Sequence, residues 1–579
     1  MTRETLVSVL DDIALLLELQ GENPFKIRAY RTGSEIVQNF DGDIVQRAKD
    51  NELNGIKGLG DALQQKLHEL ASTGKLDFYE KLRAQFPSTL FELFNLQGLG
   101  PKKIKVLYDE LGIDSLDSLK NACEEKTKIT ALKGFGAKTV EKILAAIASN
   151  AAFADRFRLG EIAPLAETFL ERLRTCPGVT QCAIAGSYRR AKETVHDVDF
   201  LVATNDGPAA TAFFTQFPEI HEILAHGDTK ASIRLETGLQ CDLRAVSTAQ
   251  FPFALQYFSG SKEHNVAVRG LALKQGLSLN EYGFTATKDG TKVPAVETED
   301  DIYRALGLQP VPPELRENRG EIEAAQEGTL PRLVELENLR GTFHNHTTAS
   351  DGRNTLAEMA AAAADHGLDY FGISDHSKSS FQAHGLDAER LMAQIDDIRA
   401  FNQSGQSPCH LFAGSEVDIL KDGALDFPDD VLAELDFVVA SVHNAFTLPK
   451  DEMTARIIRA LENEHVTMLG HLTGRLLLRR DPYAVDVDKI IDCAAETRTV
   501  IELNSNPRRL DMDWRYWKKA RDKGVLTSIN PDAHRAEQLQ FLALGTRIAR
   551  KGWLRREDVL NTKSLDEIQD FLATPKAQR

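Results

Sequence analysis

Short apolar runs that end in histidine or carboxylate residues recur through the last third of this 579-residue chain. Each run is typical of a β-strand, and helical patterns separate the runs beyond Arg340. The seven predicted strands span residues 342–346, 370–376, 411–417, 437–443, 467–471, 500–504 and 526–532. Because strands that alternate with helices form parallel sheets, we predict a closed (βα)7 barrel with its polar residues gathered at the carboxyl ends of the strands.

The polar residues at these strand ends are candidate metal ligands, and their grouping predicts up to three ions. We expect His344 and His346 with Glu416 and Asp532 at the first ion, Glu416 with His443 and His471 at the second, and Asp351, His376 and His534 at the third. Imidazole and carboxylate ligands leave the choice between Mn²⁺ and Zn²⁺ open. A multi-ion centre of this kind is typical of phosphoesterases.

A second pattern of carboxylates lies upstream, in the sequence HDVDFLV. Asp197 and Asp199 are two residues apart on a predicted strand, so both side chains point to one face and can share two Mg²⁺ or Mn²⁺ ions. Asp242, in the next polar strand, is the candidate third carboxylate. Three carboxylates around two ions predict a nucleotidyl-transfer site.

The sequence GSYRR precedes these carboxylates and is suited to phosphate binding. Gly186 and Ser187 are expected to form a tight turn that binds triphosphate oxygens, and Arg190 to supply positive charge. A DxD pair alone is common on protein surfaces. The turn, the arginine and the third carboxylate together make the functional interpretation the stronger one.

A short Gly-x-Gly pattern occurs three times in the first 150 residues, each time before an amphipathic helix. Glycines allow a tight turn, and the start of the following helix favours an anion. The repeats therefore predict helix-hairpin-helix binding to the DNA backbone, with packed hairpins that bind no ligand as the alternative. The glycines concerned are Gly55, Gly58, Gly60, Gly98, Gly100, Gly134 and Gly136.

Composition limits these interpretations. The net charge of −17 excludes a general basic surface, so DNA contacts must be local. No apolar run is long enough to span a membrane and no secretory leader is recognisable, which predicts a cytoplasmic protein associated with the nucleoid. We expect a monomer.

Residues 1 to about 315 resemble the family X DNA polymerases, the group that contains DNA polymerase beta. The resemblance extends through YFSGSKEHN, and it implies that these residues select the incoming nucleotide. Tyr257 and Phe258 would border the sugar, Asn265 would reach the base, and Arg269 would contact the template. Gly260 belongs to the same turn. Gln240 and Lys262 depart from the family pattern.

The same resemblance matches Lys66 to the Schiff-base lysine of a 5′-deoxyribose-phosphate lyase, with Lys26 and Tyr30 as neighbouring pocket residues. Ala62 stands where the polymerase beta pattern has another lysine. A solvated surface lysine is the alternative interpretation of Lys66.

Beyond residue 340 the nine candidate ligands resemble those of the PHP (polymerase and histidinol phosphatase) family. The resemblance implies a multidomain α/β chain: residues 1–85 form a helix-hairpin-helix domain, 86–150 a second, 151–245 a nucleotidyltransferase palm, 246–315 a thumb, and 340–579 a PHP barrel. Between thumb and barrel, residues 316–339 are predicted to be a linker because the stretch from Pro310 to Pro331 is rich in proline and charge. It also implies a Mn²⁺-dependent 3′–5′ exonuclease, with 3′-phosphatase and abasic-site endonuclease activities as variants. Arg475, Arg508 and Arg509 are candidates to orient a phosphodiester, with surface solvation as the alternative.

The function implied is a DNA polymerase that fills short gaps in base excision repair, with gapped or nicked DNA and deoxynucleoside triphosphates as partners. One alternative is a PHP nuclease or phosphatase whose polymerase half serves mainly to bind DNA. Another is a repair scaffold in which both sites are degenerate.

Overall fold

The computed structural model describes residues 1, 3–40, 43–96, 99–153, 155–405 and 409–579. It divides into two compact units, residues 1–154 and 155–579, each with its own hydrophobic core. Among the described residues, no helix has the length and apolar character needed to cross a membrane.

The N-terminal unit is helical. Leu6, Leu10, Ile13 and Leu17 lie on one face of the first helix and are buried in the core, as their spacing predicts. The helices are α1 (Arg3–Gln20), α2 (Pro24–Asn39), α3 (Ile44–Lys49), α4 (Asp61–Thr73), α5 (Asp77–Arg83), α6 (Pro101–Leu111), α7 (Leu116–Glu125) and α8 (Ala137–Phe153).

The Gly-x-Gly turns place a buried apolar residue next to exposed glycines. Leu59 and Phe135 are buried in the core, whereas the glycines on both sides of each are exposed. Gly58 and Gly134 have φ angles of +93° and +92°, which side chains with a Cβ rarely adopt. The central residue therefore anchors each turn, and the glycines leave backbone accessible at the surface.

The second glycine of each turn lies at or just before the start of a helix. Gly60 and Gly100 are the N-caps of α4 and α6, and the carbonyl of Gly136 accepts the first hydrogen bonds of α8. A Cβ built on any of the three would meet no heavy atom within 4 Å among the described residues. Gly55 is likewise exposed, and Gly98 lies outside the described residues.

The palm is a five-stranded sheet in the order β2-β4-β7-β6-β5. Neighbouring strands are antiparallel except β4 and β7, which are parallel, so the first residues of these two strands lie at the same edge. Its elements are β1 (Phe157–Arg158), α9 (Leu159–Arg174), β2 (Val179–Ile184), α10 (Gly186–Arg189), β3 (Thr194–Val195), β4 (Asp197–Thr204), α11 (Gly207–Phe214), β5 (Ile220–His226), β6 (Lys230–Leu235) and β7 (Gln240–Val246).

The thumb has a small core of its own beside the palm. His264 is fully buried there, where Nδ1 lies 2.7 Å from Glu321 Oε1 and Nε2 lies 3.0 Å from the hydroxyl of Tyr303. The elements are α12 (Phe251–Ser259), α13 (Lys262–Lys274), β8 (Leu277–Asn280), β9 (Gly283–Ala286), α14 (Glu299–Ala305) and α15 (Glu321–Glu327).

Residues 316–339, which the sequence suggested to be a linker, form packed structure. Arg316 is 1% exposed; its Nε donates to Val311 O over 2.9 Å, and its Nη1 lies 2.5 Å from Glu299 Oε1. Glu321 is fully buried against the thumb. Two of the charged residues in the predicted linker, Arg316 and Glu321, are therefore buried and paired inside the fold.

The C-terminal barrel has seven parallel strands in chain order, as predicted. A parallel bridge between Asn345 and Ala533, beyond the ends of the first and last strands, makes it nearly closed. Its elements are β10 (Gly341–Thr342), α16 (Leu356–Asp365), β11 (Tyr370–Ile373), α17 (Ala388–Ser404), β12 (His410–Asp418), α18 (Asp429–Leu432), β13 (Phe437–Ser441), α19 (Lys450–Leu461), β14 (Met468–Leu469), α20 (Val487–Thr497), β15 (Val500–Asn504), α21 (Trp517–Asp522), β16 (Thr527–Asn530), α22 (Phe541–Lys551) and α23 (Leu565–Ala573).

Palm and barrel share one hydrophobic core. A Cβ on Gly160 of α9 would lie 2.6 Å from Leu544 Cδ2 and 2.8 Å from Pro507 Cβ, so the two parts are in close contact. Arg547 Nη2 of α22 donates to Tyr188 O over 2.6 Å. The N-terminal end of the palm therefore rests directly on the barrel.

Candidate active sites

The three acidic residues of the palm lie on the adjacent parallel strands β4 and β7. Asp199 is the register partner of Asp242, and Asp197 lies on the same face two residues earlier. Burial, with added repulsion from Asp197 and Asp242, raises the pKa of Asp199 to about 7. Burial and Asp242 also raise the pKa of Asp197. Divalent cations would relieve this repulsion, so the carboxylates fit a metal site.

Two side chains hold the carboxylate of Asp242. Gln240 Nε2 donates to Oδ1 over 3.0 Å, and Lys230 Nζ lies 3.5 Å from Oδ2. Gln240 is one of the residues that depart from the family pattern. The structure gives it a role as a neutral donor, while Lys230 on the neighbouring strand β6 supplies the positive charge.

Gly186 lies against the carboxylate of Asp199. Its φ is +62°, and a Cβ at this position would approach Asp199 Oδ2 to 2.2 Å. Ser187 follows in the short helix α10. The predicted phosphate-binding turn therefore borders the predicted catalytic carboxylates.

Arg190 is engaged within the protein. Its Nη1 donates to the carbonyl of Ser259 and its Nε lies 3.1 Å from Glu317 Oε1. Lys551 Nζ, from the barrel, donates to Arg190 O over 2.7 Å and to Glu317 Oε1 over 2.8 Å. The guanidinium predicted to bind triphosphate thus joins palm, thumb and barrel in this structure.

The predicted nucleotide-selecting residues cluster at the end of α12 and the start of α13. The rings of Tyr257 and Phe258 meet edge to face, 5.2 Å apart. Asn265 Nδ2 donates to Tyr257 O over 2.7 Å, so this side chain is tied to the turn. Gly260 caps α12, and Arg269 is exposed on α13.

In the barrel, the carboxylate of Glu416 lies at the centre of the histidines. Oε2 is 3.2 Å from His344 Nε2, 3.6 Å from His346 Nε2 and 2.9 Å from His376 Nδ1. Oε1 is 3.2 Å from His443 Nε2 and 2.9 Å from His471 Nε2. Each oxygen therefore faces a different group of imidazoles, as a carboxylate that bridges two ions would.

A second group lies beside this one. His346, Asp351, His376 and His534 offer ligand atoms within 4.8 Å of one another. Asp351 Oδ1 is 3.3 Å from His534 Nε2, and Asp532 Oδ1 is 3.3 Å from His346 Nε2. The structure thus gathers all nine predicted ligands. It also places His346 and His376 between the groups, whereas the sequence suggested that each serves one ion.

Two buried carboxylates that the sequence did not indicate as site residues lie against His344 and His443. Each faces the ring nitrogen that points away from Glu416. Glu502 Oε1 lies 2.6 Å from His344 Nδ1, and Asp418 Oδ1 lies 3.1 Å from His443 Nδ1. Such partners fix the orientation of metal-binding histidines. A signal was present: Glu502 interrupts an apolar strand, and Asp418 follows Glu416 by two residues on β12.

Several buried ring nitrogens of the histidines lack a hydrogen-bond partner among the described residues. They are His344 Nε2, His346 Nδ1, His346 Nε2, His376 Nδ1 and His471 Nδ1. Buried polar atoms are normally paired, and bound cations would satisfy those that face the carboxylates. Burial lowers the pKa of His346 to about 4, which keeps its ring neutral and able to bind metal. The donor set therefore fits a multi-ion centre.

Seven of the nine candidate ligands, all except His344 and His346, line an open cavity of about 500 Å³. Arg509 lines the same cavity, and its Nε lies 3.4 Å from Asp532 Oδ2. Arg475 does not reach it: this residue is 6% exposed, its Nε donates to Arg509 O over 2.9 Å, and its Nη2 pairs with Glu193 of the palm. The prediction that Arg475 contacts a phosphodiester is therefore wrong. The alternative, that it is a solvated surface residue, is wrong as well.

In the N-terminal unit, Lys66 and its predicted neighbours surround one aromatic ring. Lys66 Nζ lies 5.1 Å and Lys26 Nζ 6.0 Å from the ring centre of Phe78, and Tyr30 stacks on that ring at 6.2 Å. Lys66 Nζ also donates to Ala62 O over 3.3 Å.

Comparison with known proteins agrees with this architecture. Models of a helix-hairpin-helix domain, a SAM-like helix-hairpin-helix tandem, the DNA polymerase beta thumb and the PHP domain match residues 1–76, 91–149, 254–317 and 342–506. The DNA polymerase/3′-5′ exonuclease PolX of Bacillus subtilis (strain 168) is 38% identical over 574 residues, which cover 99% of each chain.

Two further relatives match parts of the chain. A probable phosphatase of Thermoanaerobacter sp. (strain X514) is 27% identical over 245 residues, 40% of this chain and 94% of that one. DNA polymerase lambda of Rattus norvegicus is 25% identical over 329 residues, 52% of this chain and 53% of that one. The first similarity concerns less than half of this chain and the second about half, whereas PolX is similar throughout. This chain therefore belongs to the PolX family, the family X DNA polymerases that carry a C-terminal PHP domain.

Proposed function

We propose that this protein is a gap-filling DNA polymerase with a separate 3′–5′ exonuclease in its PHP barrel. The observation that carries the proposal is the presence of two metal-type centres in one chain: three carboxylates on the adjacent strands β4 and β7, and nine candidate ligands in the barrel, Glu416 among them. Similarity to PolX along the whole chain supports both activities.

In the palm, the aspartates would hold the divalent ions that bring the primer 3′ hydroxyl in line with the α-phosphate. The 3′ hydroxyl would lose its proton to solvent as its oxygen attacks the α-phosphorus, and pyrophosphate would leave with the electrons of the bond that breaks. The backbone of Gly186 and the hydroxyl of Ser187 would bind the triphosphate. For Arg190 to reach phosphate as the resemblance implies, it would have to release Glu317.

In the barrel, the histidines and carboxylates would hold divalent ions, and with these ions bound the terminal phosphodiester would lie over Glu416. A water oxygen attacks phosphorus, the bond to the 3′ oxygen of the preceding nucleotide breaks, and a nucleoside 5′-monophosphate is released. Arg509, at the edge of the cavity, would bind a phosphate oxygen. Divalent ions, Mg²⁺ or Mn²⁺ in the palm and Mn²⁺ or Zn²⁺ in the barrel, supply the Lewis acidity that activates oxygen nucleophiles and neutralises phosphate charge when bound.

A one-nucleotide-gap assay with separate Asp242→Ala and His344→Ala variants tests this division. We expect loss of synthesis with retained degradation in the first variant, and the reverse in the second. Joint loss of both activities in each correctly folded variant would contradict two independent centres.

The alternative is a PHP phosphatase or nuclease whose polymerase half only binds DNA, and the similarity of the barrel to a probable phosphatase favours it. If this were correct, nucleotide incorporation would persist unchanged in an Asp197→Ala/Asp199→Ala protein, because a contaminating polymerase would be its source. A 3′-phosphorylated primer would distinguish phosphatase from exonuclease activity in the barrel.

The exposed glycine turns are proposed to bind DNA phosphates through backbone N–H groups at the starts of α4, α6 and α8. Gly136→Asp would place a carboxylate where phosphate is expected. We predict weaker binding to gapped DNA, measured by fluorescence anisotropy. Unchanged affinity would contradict this role.

Lys66 supports a second candidate activity, 5′-deoxyribose-phosphate lyase, because it shares an aromatic surface with Lys26 and Tyr30. Its amine would condense with the sugar aldehyde with loss of water, and elimination of the 5′ phosphate would follow. Borohydride would trap the adduct in the wild type and in a Lys75→Ala control but not in Lys66→Ala. Equal trapping in all three would refute this role.

A further inference from the structure

An aromatic ring at the rim of the barrel cavity lacks a structural function. Phe381 is 80% exposed, yet it lines the same cavity as His376, His443 and Arg509. Leaving a phenyl ring this exposed forgoes the free energy of its burial. A ring in this position, beside a phosphoesterase centre, is expected to be covered by something that binds there.

The loop that carries Phe381 is fixed at both ends. Before the ring, Ser379 N and Oγ donate to Asp426, each over 2.6 Å, and Ser380 Oγ donates to Asp418 over 2.6 Å. Asp418 in turn holds His443. The ring therefore stands on a segment that is tied to a metal ligand.

The far end of the loop is held equally closely. Leu386 N donates to His376 O over 2.7 Å, and a Cβ on Gly385 would lie only 1.9 Å from Ser377 O. Arg390 Nη1 donates to the carbonyls of His384 and Gly385 over 3.0 and 3.2 Å. Because both ends are anchored, the exposed ring has a defined position relative to the ligands rather than belonging to a loose tip.

Apart from Ala383, the other residues that line the cavity have polar side chains: imidazoles, carboxylates, Ser379, Ser380, Gln382, Asn444 and Arg509. A ligand that suits it has an anionic group deep in the site and a flat apolar surface at the rim. A nucleotide at a DNA 3′ end has this form, whereas a sugar phosphate offers no planar group to the ring. Stacking on an aromatic side chain accepts any base.

We propose that Phe381 stacks on the unpaired base of the 3′-terminal nucleotide and so positions its phosphodiester over Glu416. This inference rests on the exonuclease function proposed above and specifies its substrate as a frayed or single-stranded 3′ end. The terminal base loses stacking when it leaves the duplex, and the ring replaces that interaction.

Single-stranded oligonucleotides test the inference, with a 3′ end that carries either a normal thymidine or an abasic tetrahydrofuran nucleotide. For Phe381→Leu, which keeps apolar bulk but removes the ring, we expect kcat/KM with Mn²⁺ to fall about tenfold or more on the normal end. Little change is expected on the abasic end. Phe381→Trp should retain the wild-type rate, and Tyr282→Ala, at an exposed tyrosine of the thumb, is the matched control.

Binding supplies an independent measurement. A 3′-terminal 2-aminopurine should lose fluorescence when it binds wild-type protein in EDTA, and this quenching should be absent with Phe381→Leu. Equal rates of wild type and Phe381→Leu on the normal end, or equal quenching by both, would overturn the proposal. The rates of wild type and Phe381→Leu should become equal only when the terminal nucleotide is abasic. If they became equal instead when the penultimate nucleotide is abasic, the assignment to the terminal base would be overturned. Failure of the wild type to shorten either strand would instead refute the exonuclease function, and the fluorescence would then decide the stacking alone.

Discussion

Lys551 Nζ, on the last turn of the barrel helix α22, donates to the backbone carbonyl of Arg190 in the palm over 2.7 Å. The same ammonium pairs with Glu317, which also holds Arg190 Nε and lies 3.0 Å from Lys192 Nζ. Lys551 is fully buried. A side chain of the nuclease part therefore holds the main chain beside the nucleotidyl-transfer site.

Replacing Lys551 with Met should destabilise residues 155–579, because the change removes one member of a buried charge network and leaves its acceptors unpaired. We expect a loss of about 3 kcal/mol or more in the free energy of unfolding, together with slower gap filling at temperatures where the protein remains folded. Urea denaturation and single-turnover extension measure the two effects. Lys421→Met, at an exposed lysine of the barrel, is the control; equal stability of the two variants would contradict a structural role for Lys551.

The Glu317 carboxylate gives stability that depends on pH. Burial opposes its ionisation, but Lys551, Arg190 and Lys192 together lower its pKa to about 2. A group whose pKa is lower in the folded state stabilises the fold fully above its unfolded value and loses that contribution as pH falls toward the folded value. Burial of Lys551 offsets part of this gain.

For Glu317→Gln we therefore predict up to about 3 kcal/mol less stability at pH 7 and a weaker dependence of stability on pH between about 4.5 and 2. Urea unfolding from pH 7 to 3 measures both quantities. Parallel curves for wild type and variant across this range would show that Glu317 does not titrate with the expected shift.

Gly186→Ala should slow DNA synthesis strongly and leave degradation of the 3′ end unchanged. The new methyl group would require Asp199 Oδ2, 2.2 Å away, to move, and the φ of +62° adds strain. Displacement of this carboxylate, proposed to be catalytic, by about 1 Å predicts a loss of about 100-fold or more in the extension rate. Nuclease activity on the same preparation is the internal control, and its parallel loss would indicate misfolding instead.

Arg475 and Arg509 should respond in opposite ways to substitution by Met. Arg475 is buried and bound to Glu193 and to backbone carbonyls, so its loss should lower the midpoint of thermal unfolding. Arg509 lines the metal cavity, so its loss should slow 3′-end degradation with little change in stability. The reverse pattern would refute the roles assigned to these two residues.

Mn²⁺ should stabilise the protein through the Glu416 centre. Ligand binding to the folded state alone contributes about 2.7 kcal/mol at 100 times Kd. The midpoint of thermal unfolding should rise with Mn²⁺ in the wild type and in Asp197→Asn, but only slightly in Glu416→Gln. An equal rise in all three proteins would place the stabilising ion elsewhere.

The barrel could be predicted from sequence because its strands are apolar runs with ligands at fixed offsets. Five of its strands are nevertheless shorter than predicted: residues 342–346 and 370–376 were expected, for example, but β10 ends at Thr342 and β11 at Ile373. The difference arises because, near the candidate metal ligands, backbone groups form hydrogen bonds with side chains instead of with the backbone of the neighbouring strand. Asn345 N, for example, donates to the side-chain hydroxyl of Ser374 over 2.9 Å.

Partnerships across long separations could not be predicted. Glu193 and Arg475 are 282 residues apart, and nothing in either local sequence indicates that they pair. The charge-rich segment after residue 315 looks solvated for the same reason, since the partners of Arg316 and Glu321 lie elsewhere in the fold. Periodicity and motif spacing describe a strand and the ligands at its end, but not the surface against which a domain packs.

The continuous core between palm and barrel has a consequence for how a misincorporated nucleotide is removed. Rotation of the palm relative to the barrel would disrupt this apolar packing. The 3′ end of the DNA must therefore move between the two sites while palm and barrel stay packed together. A mispaired 3′ terminus separates from its template more readily than a matched one. It would therefore reach the barrel site more often. Proofreading would then arise from the ease of fraying rather than from recognition of the wrong base.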